Sequence, residues 1–179
     1  MKSTKVMSSL KRITTEYIEL EDRIRLAGLI EDNQTVSIWL TMRLLRRLIS
    51  HCINLVDENT PELKTSLNRN EQSSKSLKNF VQQSAKQQIV AETPVIVREN
   101  SPNHHAVEVD IKNDRAGVSI TFKGEFSSSY SIYLNNEQLR QWLAMLHMIW
   151  QKAEWPALIW PDWMSSSSLE TASGTTSIH

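Results

Sequence analysis

The feature that most constrains this chain is a change of hydrophobic period that occurs twice. In the first pass, Tyr17-Ile18-Glu19-Leu20-Glu21, Arg23-Ile24-Arg25-Leu26 and Val36-Ser37-Ile38-Trp39-Leu40 alternate apolar with polar residues. Period two predicts half-buried strands, because successive side chains point to opposite faces. Glu31-Asp32-Asn33-Gln34 reads as a polar turn between two of them. The spacing then changes. Leu44, Leu45, Leu48, Ile49, Cys52, Ile53 and Val56 recur every three or four residues, which predicts one broad face of a helix. Thr41 stands at the N-cap position, and Asp57-Glu58-Asn59-Thr60-Pro61 ends the helix because proline cannot continue it.

The second pass repeats this order. Val95-Ile96-Val97, between Pro94 and Pro102, reads as a short edge strand. Val107, Val109 and Ile111 alternate with Glu108 and Asp110, and Asn113-Asp114-Arg115-Ala116-Gly117 is turn chemistry. Val118, Ile120 and Phe122 form a further strand pattern, and Ser131-Ile132-Tyr133-Leu134 another. Asn135 or Asn136 then caps a helix through Leu139, Trp142, Leu143, Leu146, Ile149 and Trp150.

The expected fold class is therefore α+β, with two tandem βββα units packed as one duplicated domain. Residues 11–57 form the first unit and 58–93 a polar connector, with one helix carried by Leu77, Phe80, Val81, Ala85 and Ile89. Residues 94–164 form the second unit with a Trp/Pro-rich C-terminal segment, and the Ser/Thr-rich stretch 165–179 is expected to be disordered. Ile24, Leu26 and Gly28 match Ile120, Phe122 and Gly124 at an offset of 96; Val36, Ile38, Leu40 and Leu45 match Tyr130, Ile132, Leu134 and Leu139 at 94. The two-residue difference is expected in the turn between those strands, where a length change costs little. Doubling has a physical motive: three strands expose an apolar face that one helix only partly covers.

Bulk properties narrow the function. A hydrophobic fraction of 40% over 179 residues suffices for one core or two very small ones. Twenty basic residues balance twenty acidic ones, so no whole-molecule field favours nucleic acid or an anionic membrane. A local patch stays open. The single cysteine, Cys52, excludes an intramolecular disulfide and fits a reducing compartment. No signal-peptide pattern and no apolar run approaching the roughly 20 residues of a membrane helix is seen, so the expected location is the cytoplasm.

Most chemistries lack their residues. The four glycines, Gly28, Gly117, Gly124 and Gly174, make neither a phosphate-cradling loop nor a dinucleotide fingerprint. His104-His105 reads as a solvated loop pair, since no further ligands stand at metal-site spacing, and His51 and His147 as helix-packing residues. Cys52 falls on the apolar stripe of its helix, with His51 pointing about 100° away. The carboxylate pairs Glu19/Glu21 and Glu108/Asp110 are what a wet strand face carries. No cofactor, no metal and no catalytic activity are expected.

Two surfaces compete for a binding role. Trp142, Trp150, Trp155, Trp160 and Trp163 place five of the six tryptophans within 22 residues. Prolines break this stretch, so Trp155, Trp160, Pro161 and Trp163 either seal the core or present a docking surface. The first function expected is thus a protein-interaction adaptor or assembly factor, its partner another protein or a second copy of the chain. The other surface is basic. Residues 1–56 hold nine Lys or Arg against six Asp or Glu, and Arg23, Arg25, Arg43, Arg46 and Arg47 could meet phosphates while Trp39 and Tyr133 offer stacking faces. Doubled strand-rich units, each followed by a helix, resemble in architecture the Whirly and PUR single-strand-binding domains, although none of their sequence motifs is present. That resemblance implies the second function expected, a single-stranded nucleic-acid binder.

Overall fold

The computed structural model describes residues 6–59, 71–125 and 128–165. The alternating segments form two four-stranded mixed sheets. Sheet I has the order β2 (Arg12–Ile18), β3 (Arg23–Leu29), β4 (Thr35–Leu40), β5 (Asn103–His105). Sheet II has the order β1 (Val6–Ser9), β8 (Ser128–Asn135), β7 (Gly117–Lys123), β6 (Glu108–Asn113). The helices are α1 (Met42–Glu58), α2 (Glu71–Gln87), α3 (Asn136–Lys152) and the single turn α4 (Asp162–Ser165).

Each sheet is an antiparallel triple completed by a parallel fourth strand from the other half of the chain. β1 runs parallel to β8 and β5 runs parallel to β4. Neither triple is complete without the other, and one hydrophobic core joins them. Its inner-face strand residues include Ile24, Leu26, Ile38, Ile120 and Phe122, all fully buried. Each such side chain contributes about 1.5–3 kcal/mol relative to exposure.

The helices begin where their caps predict. The Leu44 amide donates to Thr41 Oγ1 at 3.3 Å, and Asn135 forms a reciprocal capping box with Gln138. Asn59 ends α1. Buried Arg140 of α3 donates from Nη2 to the Val56 carbonyl at 3.2 Å, satisfying one of the carbonyls that the end of α1 leaves open.

Several expectations are corrected. The strand expected at Tyr17–Glu21 is Arg12–Ile18, and Glu19–Glu21 is a 3-10 turn with Leu20 fully exposed. The alternation was masked because Thr15 faces inward, where its hydroxyl accepts a 3.0 Å bond from Trp142 Nε1. Val95-Ile96-Val97 is not a strand. Extended chain there crosses the outside of sheet I, held by Val95 N–H to Thr14 Oγ1 at 2.8 Å and Arg98 N–H to Thr35 Oγ1 at 3.3 Å. The strand of this region is β5, which converts the supposed His104-His105 loop into sheet. In α2, Phe80 is 70% exposed while Gln82 is buried and donates from Nε2 to the Arg140 carbonyl at 2.9 Å. Ala85 is buried and Leu77, Val81 and Ile89 are half-buried, so the stripe holds except at Phe80, and polar bonds add to it: Lys78 pairs with Asp57, and Asn79 donates to the Trp163 carbonyl. Pro61, the first part of the connector, and residues 166–179 of the tail lie outside the described residues. Among the described residues, no helix is long and apolar enough to cross a membrane.

Candidate functional site

The outer face of sheet I carries a row of four cross-strand neighbours. Glu16 lies opposite Arg25, Arg25 opposite Trp39, and Trp39 opposite His105. Arg25 donates from Nε and Nη2 to Glu16 Oε2 at 3.1 and 2.6 Å, which fixes its guanidinium 5.8 Å from the Trp39 ring centroid. This is cation–π distance. Toward the other strand, the His105 imidazole stands 6.4 Å from the indole with the planes 14° apart. Trp39 Nε1 donates to Asn103 Oδ1 at 3.2 Å, and Arg23 Nη1 lies 3.5 Å from His105 Nδ1. The half-buried indole is thus positioned from both neighbouring strands, and the stack ends on exposed His105 at the edge of the sheet.

The neighbouring row is closed. Ala27 and Ser37 are buried beneath the crossing chain that Thr14 and Thr35 anchor. Half of the face is therefore covered and half is open, and the open half bears the Arg25–Trp39–His105 stack. Such a stack offers π faces, with the Arg25 charge paired to Glu16 and the Arg23 guanidinium beside His105. It has no nucleophile–base pair.

The other sequence-predicted residues fall elsewhere. Arg43, Arg46 and Arg47 are exposed on α1 and make no ion pair with another described residue. They do not act as one edge. Arg43 and Arg47 look toward Ala106 and Val107, whereas Arg46 borders a hollow with Leu158 and Pro161 on the opposite flank. Tyr133 lies on sheet II, half exposed. Packing against the sheet and the Asp114 carboxylate raise its phenol above the usual value. Trp155, Trp160 and Trp163 point into the core, at 8%, 6% and 7% exposure. Trp155 Nε1 donates to Asp22 Oδ1 at 2.8 Å and its ring meets Trp150 edge-on; Trp160 packs on His147 and Trp150. What that segment leaves outside is Leu158, 97% exposed, with half-buried Pro161.

His104 is buried edge-on against Tyr130, and its Nε2 has no hydrogen-bond partner. Burial lowers its pKa, with a smaller opposing pull from the Phe122 backbone. Burial pushes the Cys52 thiol up to about 12, as suits an inert core thiol. Among the described residues, no group of three or more His, Cys, Asp or Glu could hold a metal.

Of the residues singled out in the sequence, Arg23, Arg25 and Trp39 lie together here, joined by Glu16, Asn103 and His105, which the sequence does not mark. Glu16 belongs to the misplaced strand, and the other two join the row only through a parallel pairing to β4 made across 64 residues of chain. No family model matches the chain, and comparison with the curated proteins and with the solved structures gives no match.

Proposed function

We propose that this is a binding protein without catalytic activity, and that it takes single-stranded nucleic acid on the open half of the outer face of sheet I. One observation carries the proposal: the Glu16–Arg25–Trp39–His105 row, a guanidinium–indole–imidazole stack pre-ordered at the sheet border. Unpaired bases have π faces that extend such a stack, at about 1–3 kcal/mol per base. A duplex keeps those faces covered. Arg23, beside His105, is placed to meet the phosphate of a base stacked there. The zero net charge makes this local geometry, rather than a general field, the source of affinity.

The test is fluorescence anisotropy with a labelled homopyrimidine oligonucleotide, alongside the Trp39 indole N–H signal in NMR. Saturable binding that weakens with salt, together with a shift of the Trp39 signal, is expected. Absence of binding at low salt would remove the proposal.

A protein partner is the second reading, favoured by one observation. Leu158 and Pro161 border an open hollow of ≈ 580 Å³ with Ile53 and Ile159, just outside the buried tryptophans. Leu158→Asp should then abolish capture of that partner without moving the melting temperature.

We further propose that the two halves are copies of one ββββα unit, β1–β4–α1 and β5–β8–α3. Ladder register supports a single offset of 94 from the third strand onward. Ile24 opposite Leu40 corresponds to Val118 opposite Leu134, Trp39 to Tyr133, and the cap Thr41 to Asn135. The same offset relates Leu10 to His104. The two-residue difference then falls in the first hairpin, not the second, because β2 and β6 correspond at 96. Gly28 and Gly124 are no longer equivalent in register. Both still leave room for the crossing residue: a Cβ on Gly28 would stand 2.7 Å from Leu10 Cδ2, and one on Gly124 2.7 Å from His104 Cε1. Sequence profiles of the two halves, built separately from homologues, should align at these offsets; failure to align rejects the duplication.

A further inference from the structure

We infer that the groove between α1 and β6 is a second part of the same site, a track for the backbone of the single strand as it leaves the His105 end of the stack. This rests on the nucleic-acid reading above. Two hollows of ≈ 190 and ≈ 400 Å³ share Leu44, Arg47 and Val107, so they form one continuous groove. It starts at Ala106, the residue after His105, and runs along α1 to His51.

The two walls differ in chemistry. Arg43, Arg47 and His51 stand at i, i+4 and i+8 on α1, one face of the helix. Each step rises about 6 Å along the axis, the order of the spacing between phosphates in an extended strand. Neither arginine has an ion-pair partner among the described residues. The opposite wall is the free edge of β6, where Val107 is 54% exposed and Val109 and Ile111 are half-buried. The one carboxylate on that wall, Glu108, is held by Lys123 at 2.9 Å. A basic wall facing an apolar one suits phosphates on one side and sugars and bases on the other. The charge of the groove selects a polyanion. Its start beside His105 makes that polyanion the strand already stacked on sheet I.

The experiment compares oligothymidylates of about 4 and about 12 nucleotides, a short and a long length within the range of single-domain site sizes. Both bind to the full chain and to its Arg43→Glu/Arg47→Glu variant, with Arg43→Gln/Arg47→Gln as the milder substitute if folding suffers. The longer strand has the same number of registers on every protein, so the ratio of length gains reads the track alone. Wild type should gain about tenfold more from length than the variant, a difference of about 1.4 kcal/mol. The salt slope for the long strand should fall by about 1.4, two phosphate contacts at 0.7 each. The short strand should keep its affinity and its effect on the Trp39 signal. An unchanged length gain in both variants, or equal losses for both lengths, overturns the track while leaving the sheet I reading intact. A Trp39 signal unmoved by either strand in wild type overturns both. Binding of an acidic extended peptide that the variant loses, with oligonucleotide affinity unchanged, assigns the groove to a protein partner and overturns the track as well.

Discussion

Sheets I and II present corresponding rows on their outer faces, yet only one row is built for stacking. Two residues before the α1 cap stands Trp39, flanked by Arg25 and His105. Two residues before the α3 cap stands Tyr133, flanked by Ser119 and then Lys112. The sheet II face is small and hydroxylic, with Ser9, Ser131 and Thr121 in adjacent register. Its principal cation, Lys123, is held by Asp110 and Glu108, whose hydrogen bonds raise its pKa. On each face one cation is paired, Arg25 with Glu16 and Lys123 with Asp110 and Glu108, but only on sheet I does the paired cation lie over an indole. The two sheets therefore present different surfaces through a handful of outward residues, while the inward ones are mostly apolar, Thr15 and His104 excepted.

The largest expected difference is structural. Gly117 opens β7 opposite the Asn135 cap, and a Cβ there would collide with the Leu134 carbonyl. Its counterpart at the start of β3 is Arg23, a side chain that points outward. Gly117→Ala should cost about 3 kcal/mol or more in urea unfolding, since backbone must move. Arg23→Ala should stay within about 0.5 kcal/mol. A Gly117→Ala cost as small as that of Arg23→Ala would mean that the backbone at the start of β7 yields without strain.

Binding should separate the faces next. Trp39→Ala should weaken oligonucleotide affinity about tenfold, because it removes the indole that orders His105 for stacking. Tyr133→Ala should change it less than about twofold, within the scatter of a surface substitution. Comparable losses from both would make sheet II part of the site.

The smallest effect concerns the side chains that close on two of the glycines, Leu10 on Gly28 and His104 on Gly124. Burial lowers the His104 pKa, so the folded chain favours the neutral ring. Above the unfolded value of 6.5 both states are neutral. As pH falls below it, the unfolded chain takes up a proton that the folded chain resists, and stability declines until the folded pKa is passed. His147, also lowered by burial and by Lys86, adds to the decline. His104→Leu should flatten the fall in unfolding midpoint between about pH 7.5 and about pH 5.5. A fall unchanged by the substitution would leave His147 or the carboxylates responsible.

What could be read from the chain followed from how local each signal was. β3, β4, β6, β7, α1 and α3 announce themselves because their inward residues are apolar and share one period. Thr15 broke that signal in β2 by facing inward with a hydroxyl, which makes sense only beside the Trp142 indole, 127 positions away. β1 and β5 carried almost no signal. They are short and without alternation, Val-Met-Ser-Ser and Asn-His-His, and exist as strands because the other half of the chain offers them a parallel edge. The tryptophans were legible as a cluster, but their direction was not, since an indole serves a core and a docking surface equally well.

The sequence by itself determined the strands that lead into α1 and α3, the N-caps of those two helices, and, with a single cysteine, that no intramolecular disulfide forms. These depend on residues within a few positions of one another. Tertiary structure alone decided that the halves exchange strands, that the C-terminal tryptophans turn inward, and that His105 completes a stack begun by Arg25 and Trp39. Those outcomes depend on pairings between distant segments, whose free energy comes from shared burial and leaves no periodicity in either segment.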